Sequence, residues 1–288
     1  MPNLKDIKRR IHSVESTMQI TKAMELVASS KFRRAKDRAE AVLPFFEQTY
    51  KLMAEIAAED PYFNSQFVHK RIEIGAVLLI VIAGDRGLAG GFNANVLRLA
   101  QENIDQIREK GGDPIVIPIG QKAVDYFTRR DVKVLHSYDH VAEHASVYLG
   151  MDIANLVIST YKRHESLQSV QLIFTNYVSP ISQVAECMDV IPLTRLPGAN
   201  PRRCAVEYEP SPEAVFDRLV PQYVAGLIYG AIVESFASEQ AARRTAMENA
   251  TDNATDMIDK LSLQYNRARQ GAITQELTEI VGGANALE

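Results

Sequence analysis

The sequence predicts an α/β fold: a long antiparallel coiled coil of N- and C-terminal helices plus a central Rossmann-like open, mostly parallel sheet. Three observations carry this. Apolar residues at both ends of the chain recur at helical intervals, whereas short apolar runs alternate with helical patterns in the middle. The two ends also carry opposite charge. Residues 1–40 hold ten Lys/Arg against five acids, a net of +5, and residues 211–288 hold six against eleven, a net of −5.

At the N-terminal end, assigned to residues 1–60, the apolar positions step through Leu4, Ile7, Ile11, Val14 and Met18. Intervals of three and four make this a coiled-coil seam. After Thr21 and Met24 the seam continues as Ala28, Phe32, Ala35, Ala39, Val42 and Phe46 towards Met53. Consecutive four-residue steps near Ala28 resemble a stutter, which locally unwinds a supercoil. Pro44 predicts a kink. Such a helix would be roughly 80 Å long at ~1.5 Å per residue.

The C-terminal segment, 209–288, opens with Ser211-Pro212-Glu213: an N-cap serine, a proline in the first helical position and an acid in the first turn. Pro221 predicts a bend, and Gly282-Gly283 a stop. Between them Met247, Ala250, Ala254, Met257, Leu261, Tyr265, Ala268 and Ala272 form a second seam, thin in apolar mass. Small seam residues permit close approach but bury little area. Two helices with opposite charge, neither stable alone, are most economically paired with each other; two ordinary helices of a bundle are the alternative.

In the middle, 70–195, Glu73–Ile82 is apolar on both faces, as a buried parallel strand must be. A glycine-rich turn follows, then a helix over Ala94–Lys110, a strand Ile115–Ile119, a helix Gln121–Arg129, a strand Val132–Leu135 and a helix from about Glu143 to His164. Val170–Tyr177 and Ala185–Leu193 complete the strands, and residues 195–210 read as a linker rich in proline.

Several chemistries are disfavoured. The net charge of −4 argues against a general nucleic-acid binder. The longest apolar run, Ala76–Ala83, is eight residues, too short for a membrane span. The opening Met1-Pro2-Asn3-Leu4-Lys5-Asp6 has no signal core, which points to a cytosolic chain. Cys187 and Cys204 are too far apart for a zinc site and are expected to be structural thiols. Gly84-Asp85-Arg86-Gly87-Leu88-Ala89-Gly90-Gly91-Phe92-Asn93 sits where a dinucleotide fingerprint would, but its glycine spacing is wrong, so a structural turn is expected. His136, His140 and His144 could share a helix face and hold a metal, yet the segment follows a strand end and is expected to turn. The basic run Lys31–Arg38 reads as a solvated or protein-facing stripe. No catalytic residue, cofactor site or metal site is expected.

Three stretches carry a resemblance. They are Ile7-Lys8-Arg9-Arg10-Ile11 with Thr17–Ala28, then Asp85–Asn93, and last Ile273-Thr274-Gln275-Glu276-Leu277-Thr278-Glu279-Ile280-Val281 followed by Gly283, Ala284 and Ala286. In this order they resemble the gamma subunit of F-type ATP synthase over essentially the whole chain. The resemblance implies a rotary shaft without bond chemistry of its own. It would turn in a hexamer of alpha and beta subunits, docked with epsilon on the membrane c-ring, and couple proton flow to ATP synthesis. It implies contact or coupling roles for Met24, Arg243, Arg269, Gln270, Thr274, Glu276 and Thr278, and a peripheral place on the cytoplasmic side of a bacterial cell membrane. The thiol-regulated insert of chloroplast-type chains is not evident. The competing readings are a coiled-coil scaffold without a rotary role and a nucleotide-binding enzyme.

Overall fold

Strand β1 (Ala76–Ile82) organises the sheet. In the computed structural model, which describes residues 4–59, 63–69, 71–193 and 206–285, its side chains from Val77 to Ile82 are all buried. Alternation sends Leu78, Ile80 and Ile82 to one face and Val77, Leu79 and Val81 to the other. Both faces must therefore be covered, which is why the run is continuously apolar.

The remaining elements in chain order are α2 (Phe92–Glu109), β2 (Pro114–Ile119), α3 (Gln121–Phe127), β3 (Lys133–Val134), α4 (Val147–Arg163), β4 (Leu167–Tyr177) and β5 (Gln183–Ile191). They are preceded by α1 (Leu4–Glu59) and followed by α5 (Pro212–Asn285). The sheet order is β3-β2-β1-β4-β5, with β1 parallel to β2 and β4, β2 parallel to β3, and only β5 antiparallel, against β4. Ile80 stands between Ile117 of β2 and Leu172 of β4. On the Val77 face lie Val96, Ala100 and Ile104 of α2 with Ala123 and Phe127 of α3. On the Leu78 face lie Ile153 and Val157 of α4, Met53 and Ile56 of α1, and Ile228, Ile232 and Phe236 of α5.

Some expected boundaries move. The first strand begins at Ala76 rather than Glu73, and α4 begins at Val147, where the Ser146 hydroxyl accepts the Leu149 N–H, rather than at Glu143. Helix α1 continues past Pro44 and α5 past Pro221. Nor does Gly282-Gly283 stop α5, which runs to Asn285. Its start is as expected: the Ser211 hydroxyl accepts the Ala214 N–H at 3.2 Å and donates to Glu213 at 2.8 Å. By length and composition α5 could cross a membrane, but its apolar residues Val224, Ile228 and Ile232 are core residues under the sheet. Cys204 and most of the 195–210 linker lie outside the described residues, as does the Val42 side chain.

The chain divides into two compact units: Met1–Ala28 with Arg243–Glu288, and Ser29–Ala242, which holds the sheet. Within the first, the two helical segments run antiparallel. The Thr21 and Thr251 hydroxyls are 2.8 Å apart, and the Thr255 hydroxyl donates to the Met18 sulfur at 3.5 Å. Ile7, Thr21 and Ala28 on one side and Met247, Ala254 and Leu261 on the other are buried. This is the predicted thin seam, with one change: Met257 is exposed, and Ile258 takes the inward position.

Candidate functional site

The turn after β1 is tied by its own side chains. The Gly84 N–H donates to Asn93 Oδ1 at 2.8 Å, and Asn93 Nδ2 donates to the Arg86 carbonyl at 3.1 Å. Asp85 Oδ1 accepts the Gln121 N–H at 2.9 Å and the His140 N–H at 3.0 Å. The sheet order places its switch point between β1 and β4, the crevice where α/β folds take ligands at the strand C-termini. Here α5 fills it. The Ser235 hydroxyl accepts the Thr175 N–H at 3.0 Å, and the Ser238 hydroxyl donates to the Thr175 carbonyl at 3.2 Å. Glu239 is buried, and a Cβ on Gly84 would lie 2.8 Å from its carboxyl carbon. Gly84 is therefore required by the close approach of a helix, not of a pyrophosphate.

The histidines do not share a helix face. His136 packs edge-on against Tyr138, His140 has a positive φ of 54°, and all precede α4. Among the described residues no group of three metal-binding side chains forms. The basic run is protein-facing in part: Lys31 bonds Glu143 at 2.6 Å, and Arg38 donates to the Glu143 carbonyl at 3.0 Å. Cys187 lies on the exposed edge strand, not in the core expected of a structural thiol. Desolvation, aided by the Asp189 carboxylate, pushes its thiol up to about 11, which favours the protonated form.

The seven residues singled out in the sequence fall into three environments. Met24 is half-buried in the helical seam. Arg243, to which the resemblance gives a contact role, is buried, at 8% exposure. A charged side chain this far from water is held by its surroundings and is not a free surface group. Arg269, Gln270, Thr274, Glu276 and Thr278 are all exposed. The Thr274 hydroxyl donates to the Gln270 carbonyl at 2.9 Å and Thr278 to Thr274 at 2.8 Å, so these three share one helix face.

The reason for that exposure is register. With Met18 opposite Thr255 and α1 starting at Leu4, its partner positions on α5 end near residue 269. Burial agrees: Ala272 is the last half-buried position, and every residue from Ile273 to Val281 is exposed. This end presents an apolar stripe, Ile273, Leu277, Ile280 and Val281, that sequence reading passed over. Its four- and three-residue spacing was visible, but spacing alone does not reveal that no described residue of α1 lies opposite.

Comparison with known proteins decides the family. The ATP synthase family model matches residues 3–287. The chain belongs to the ATP synthase gamma-chain family. An ATP synthase gamma chain of Ruminococcus albus is 54% identical over 280 residues, covering 97% of each chain. One of Acetobacterium woodii described as sodium ion specific is 39% identical over 99% of each. Among solved structures, the central stalk and c-ring of the Tetrahymena thermophila mitochondrial ATP synthase contains a chain with a TM-score of 0.59 and 25% identity, covering 80% of this chain and 99% of that one. This gamma-family chain is thus a subunit of an ATP synthase complex, with the mixed α/β fold and long terminal helices expected.

Proposed function

We propose that the chain is the rotating central shaft of a proton-coupled F-type ATP synthase, without catalytic residues of its own. The helices 1–60 and 209–288 transmit torque within a hexamer of alpha and beta subunits. The body, 70–195, docks with epsilon on the membrane c-ring, which places the chain peripherally on the cytoplasmic face of a bacterial cell membrane. Proton flow turns the ring, the ring turns this chain, and its asymmetric surface drives the beta sites through their states.

The observation that carries this reading is the exposed end of α5, which no described residue of α1 covers. A scaffold helix left single in water would be marginal, since helices gain stability by packing an apolar face. Here Ile273, Leu277, Ile280 and Val281 are displayed on it beside the polar face of Gln270, Thr274 and Thr278. An apolar stripe suits a protein sleeve, and the polar face suits contacts that form and break as the shaft turns. Charge-assisted hydrogen bonds contribute about 1.5–3 kcal/mol each, enough to register an angle yet weak enough to release. Arg269, Gln270, Thr274, Glu276 and Thr278 supply such groups. Arg243 and Met24 support the shaft from positions that are buried and half-buried.

The test is reconstitution of the full chain with alpha and beta subunits. The hexamer is expected to hydrolyse ATP and to turn a bead fixed to this chain. Replacing Arg269 and Gln270 by Ala should leave assembly intact by gel filtration while slowing hydrolysis by about tenfold or more. Parental turnover in an assembled double variant would place the catch elsewhere. A hexamer that forms but never rotates would favour the scaffold reading.

A further inference from the structure

Within the unit Ser29–Ala242 lies a cavity of about 540 Å³, between α1, α5 and the β4–β5 side of the sheet. That volume is in the range of sites for small organic ligands. Its walls are mainly apolar and aromatic, including Phe32, Phe174, Met188 and Leu227. Lys36 and Glu40, an exposed ion pair at 3.7 Å, also line it.

Two features make it more than a gap. The first is Gly230, in the interior of α5, where glycine is among the poorest helix formers. A Cβ there would meet nothing within 4 Å among the described side chains. Gly226, one turn earlier, is different: the Phe46 ring is packed onto it, so close approach explains that glycine. Among the described side chains no close approach accounts for Gly230, and its missing side chain leaves room in the cavity.

The second feature is Glu234, one turn beyond Gly230. Its carboxylate lines the otherwise apolar wall and accepts the Tyr177 N–H at 3.4 Å. Burial, and less strongly the Glu186 carboxylate, push its pKa above the ordinary value, while the Tyr177 bond opposes the shift. The cation in the lining, Lys36, pairs instead with Glu40. A half-buried carboxylate in an apolar pocket is complementary to a cationic head on an apolar body.

We propose that this cavity binds a small apolar amine, its aromatic or aliphatic body over Gly230 and its ammonium group against the Glu234 carboxylate. The proposal is independent of the rotor reading.

Fluorescence titration of the full chain with dansylcadaverine tests it, because that probe joins an aromatic body to a primary ammonium and brightens on leaving water. The same dansyl group on an aminohexanoic acid tail serves as the anionic counterpart. One equivalent of the amine should bind, at least about tenfold more tightly than the acid. Gly230→Leu, whose side chain enters the cavity, should abolish binding of both while leaving the circular dichroism unchanged and the Tm no lower. Glu234→Gln should bring the two affinities together. This second variant changes charge and not shape, so it decides the question even if Gly230→Leu misfolds. The proposal fails if the folded Gly230→Leu chain still binds the amine, if Glu234→Gln keeps the preference, or if the parent binds neither probe. It also fails if the amine binds the free chain but not the chain assembled with alpha and beta subunits, since the cavity is then a protein contact.

Discussion

In the unit Ser29–Ala242, β1 alone removes six consecutive side chains from water, and every one is Val, Leu or Ile. In the unit formed by Met1–Ala28 and Arg243–Glu288, the buried positions among the described residues are Ile7, Thr21, Ala28, Arg243, Met247, Ala254 and Leu261, so two of these seven are polar and two are alanine. Burial of apolar area contributes about 25 cal/mol per Å², so the first unit carries most of the stability and the second is held by fewer, smaller contacts. The difference fits the division of labour proposed. A body that docks must hold its shape, whereas a shaft in a sleeve can borrow stability from what surrounds it.

The largest expected effect breaks the comparison from the body's side. Ile80 is fully buried between β2 and β4, so Ile80→Ala should cost about 2–5 kcal/mol. Chemical denaturation followed by circular dichroism checks this. Leu261→Ala in the helical pair should cost less, at the low end of that range, because an 8%-exposed site beside a thin seam can collapse around the loss. Equal losses would mean the pair is as tightly built as the body.

How much of this was legible follows from which interactions are local. The seam positions Ile7, Thr21, Ala28, Met247, Ala254 and Leu261 were readable because helical periodicity is a property of the segment alone. The same holds for the strand Val77–Ile82 and the Ser211 cap. Choosing Met257 over Ile258 was an error of one step: intervals of three and four both continue a seam, and only the facing helix selects between them. The contact role of Arg243 came from the family resemblance, and its burial is set by surroundings that its neighbours in sequence do not reveal. The turn after β1, expected to be structural, is tied by Asn93 and Asp85. Its cause, the Glu239 carboxylate against Gly84, comes from the far end of the chain and has no local signal. The continuation of α5 past Gly282-Gly283 shows that a glycine pair permits a helix stop without enforcing one.

A smaller effect concerns the start of α5. Ser211→Ala removes the acceptor of the Ala214 N–H and should cost about 1 kcal/mol. Ser211→Asp should restore most of it, because its carboxylate can accept the same N–H; no recovery would mean that the serine's bond to Glu213 matters more than the cap.

Smaller again is the polar layer in the seam. Thr21 and Thr251 share a 2.8 Å hydroxyl bond, while their hydroxyls also reach the carbonyls of Met18 and Met247. Thr21→Val should cost about 0.5–1 kcal/mol, because it leaves Thr251 one partner short. The double change to Val should cost less than the sum of the two single changes. A double-mutant cycle measures that coupling. If the double variant is as stable as the parent but its helices slip in register by disulfide trapping, the threonines specify alignment rather than strength. Additive losses with unchanged register would assign them neither role.

The smallest effect returns to the body and depends on pH. The Lys31 ammonium, bonded at 2.6 Å, holds the Glu143 carboxyl below its ordinary 4.5; burial opposes this, and the charges of Lys31, His144 and Arg86 assist. The folded pKa lies below the unfolded one. The carboxylate's contribution to stability is therefore complete above the unfolded value and is lost as pH falls through the folded value. Glu143 is 40% exposed, so solvent screens the pair and the contribution is only about a few tenths of a kcal/mol. Lys31→Met should thus lower the Tm slightly at pH 7 and leave it close to the parental value below the folded pKa, with the gap closing between. Added salt should shrink the gap at pH 7. A gap that persists unchanged into acid would show that Lys31 acts through the packing of its alkyl stem and not through its charge.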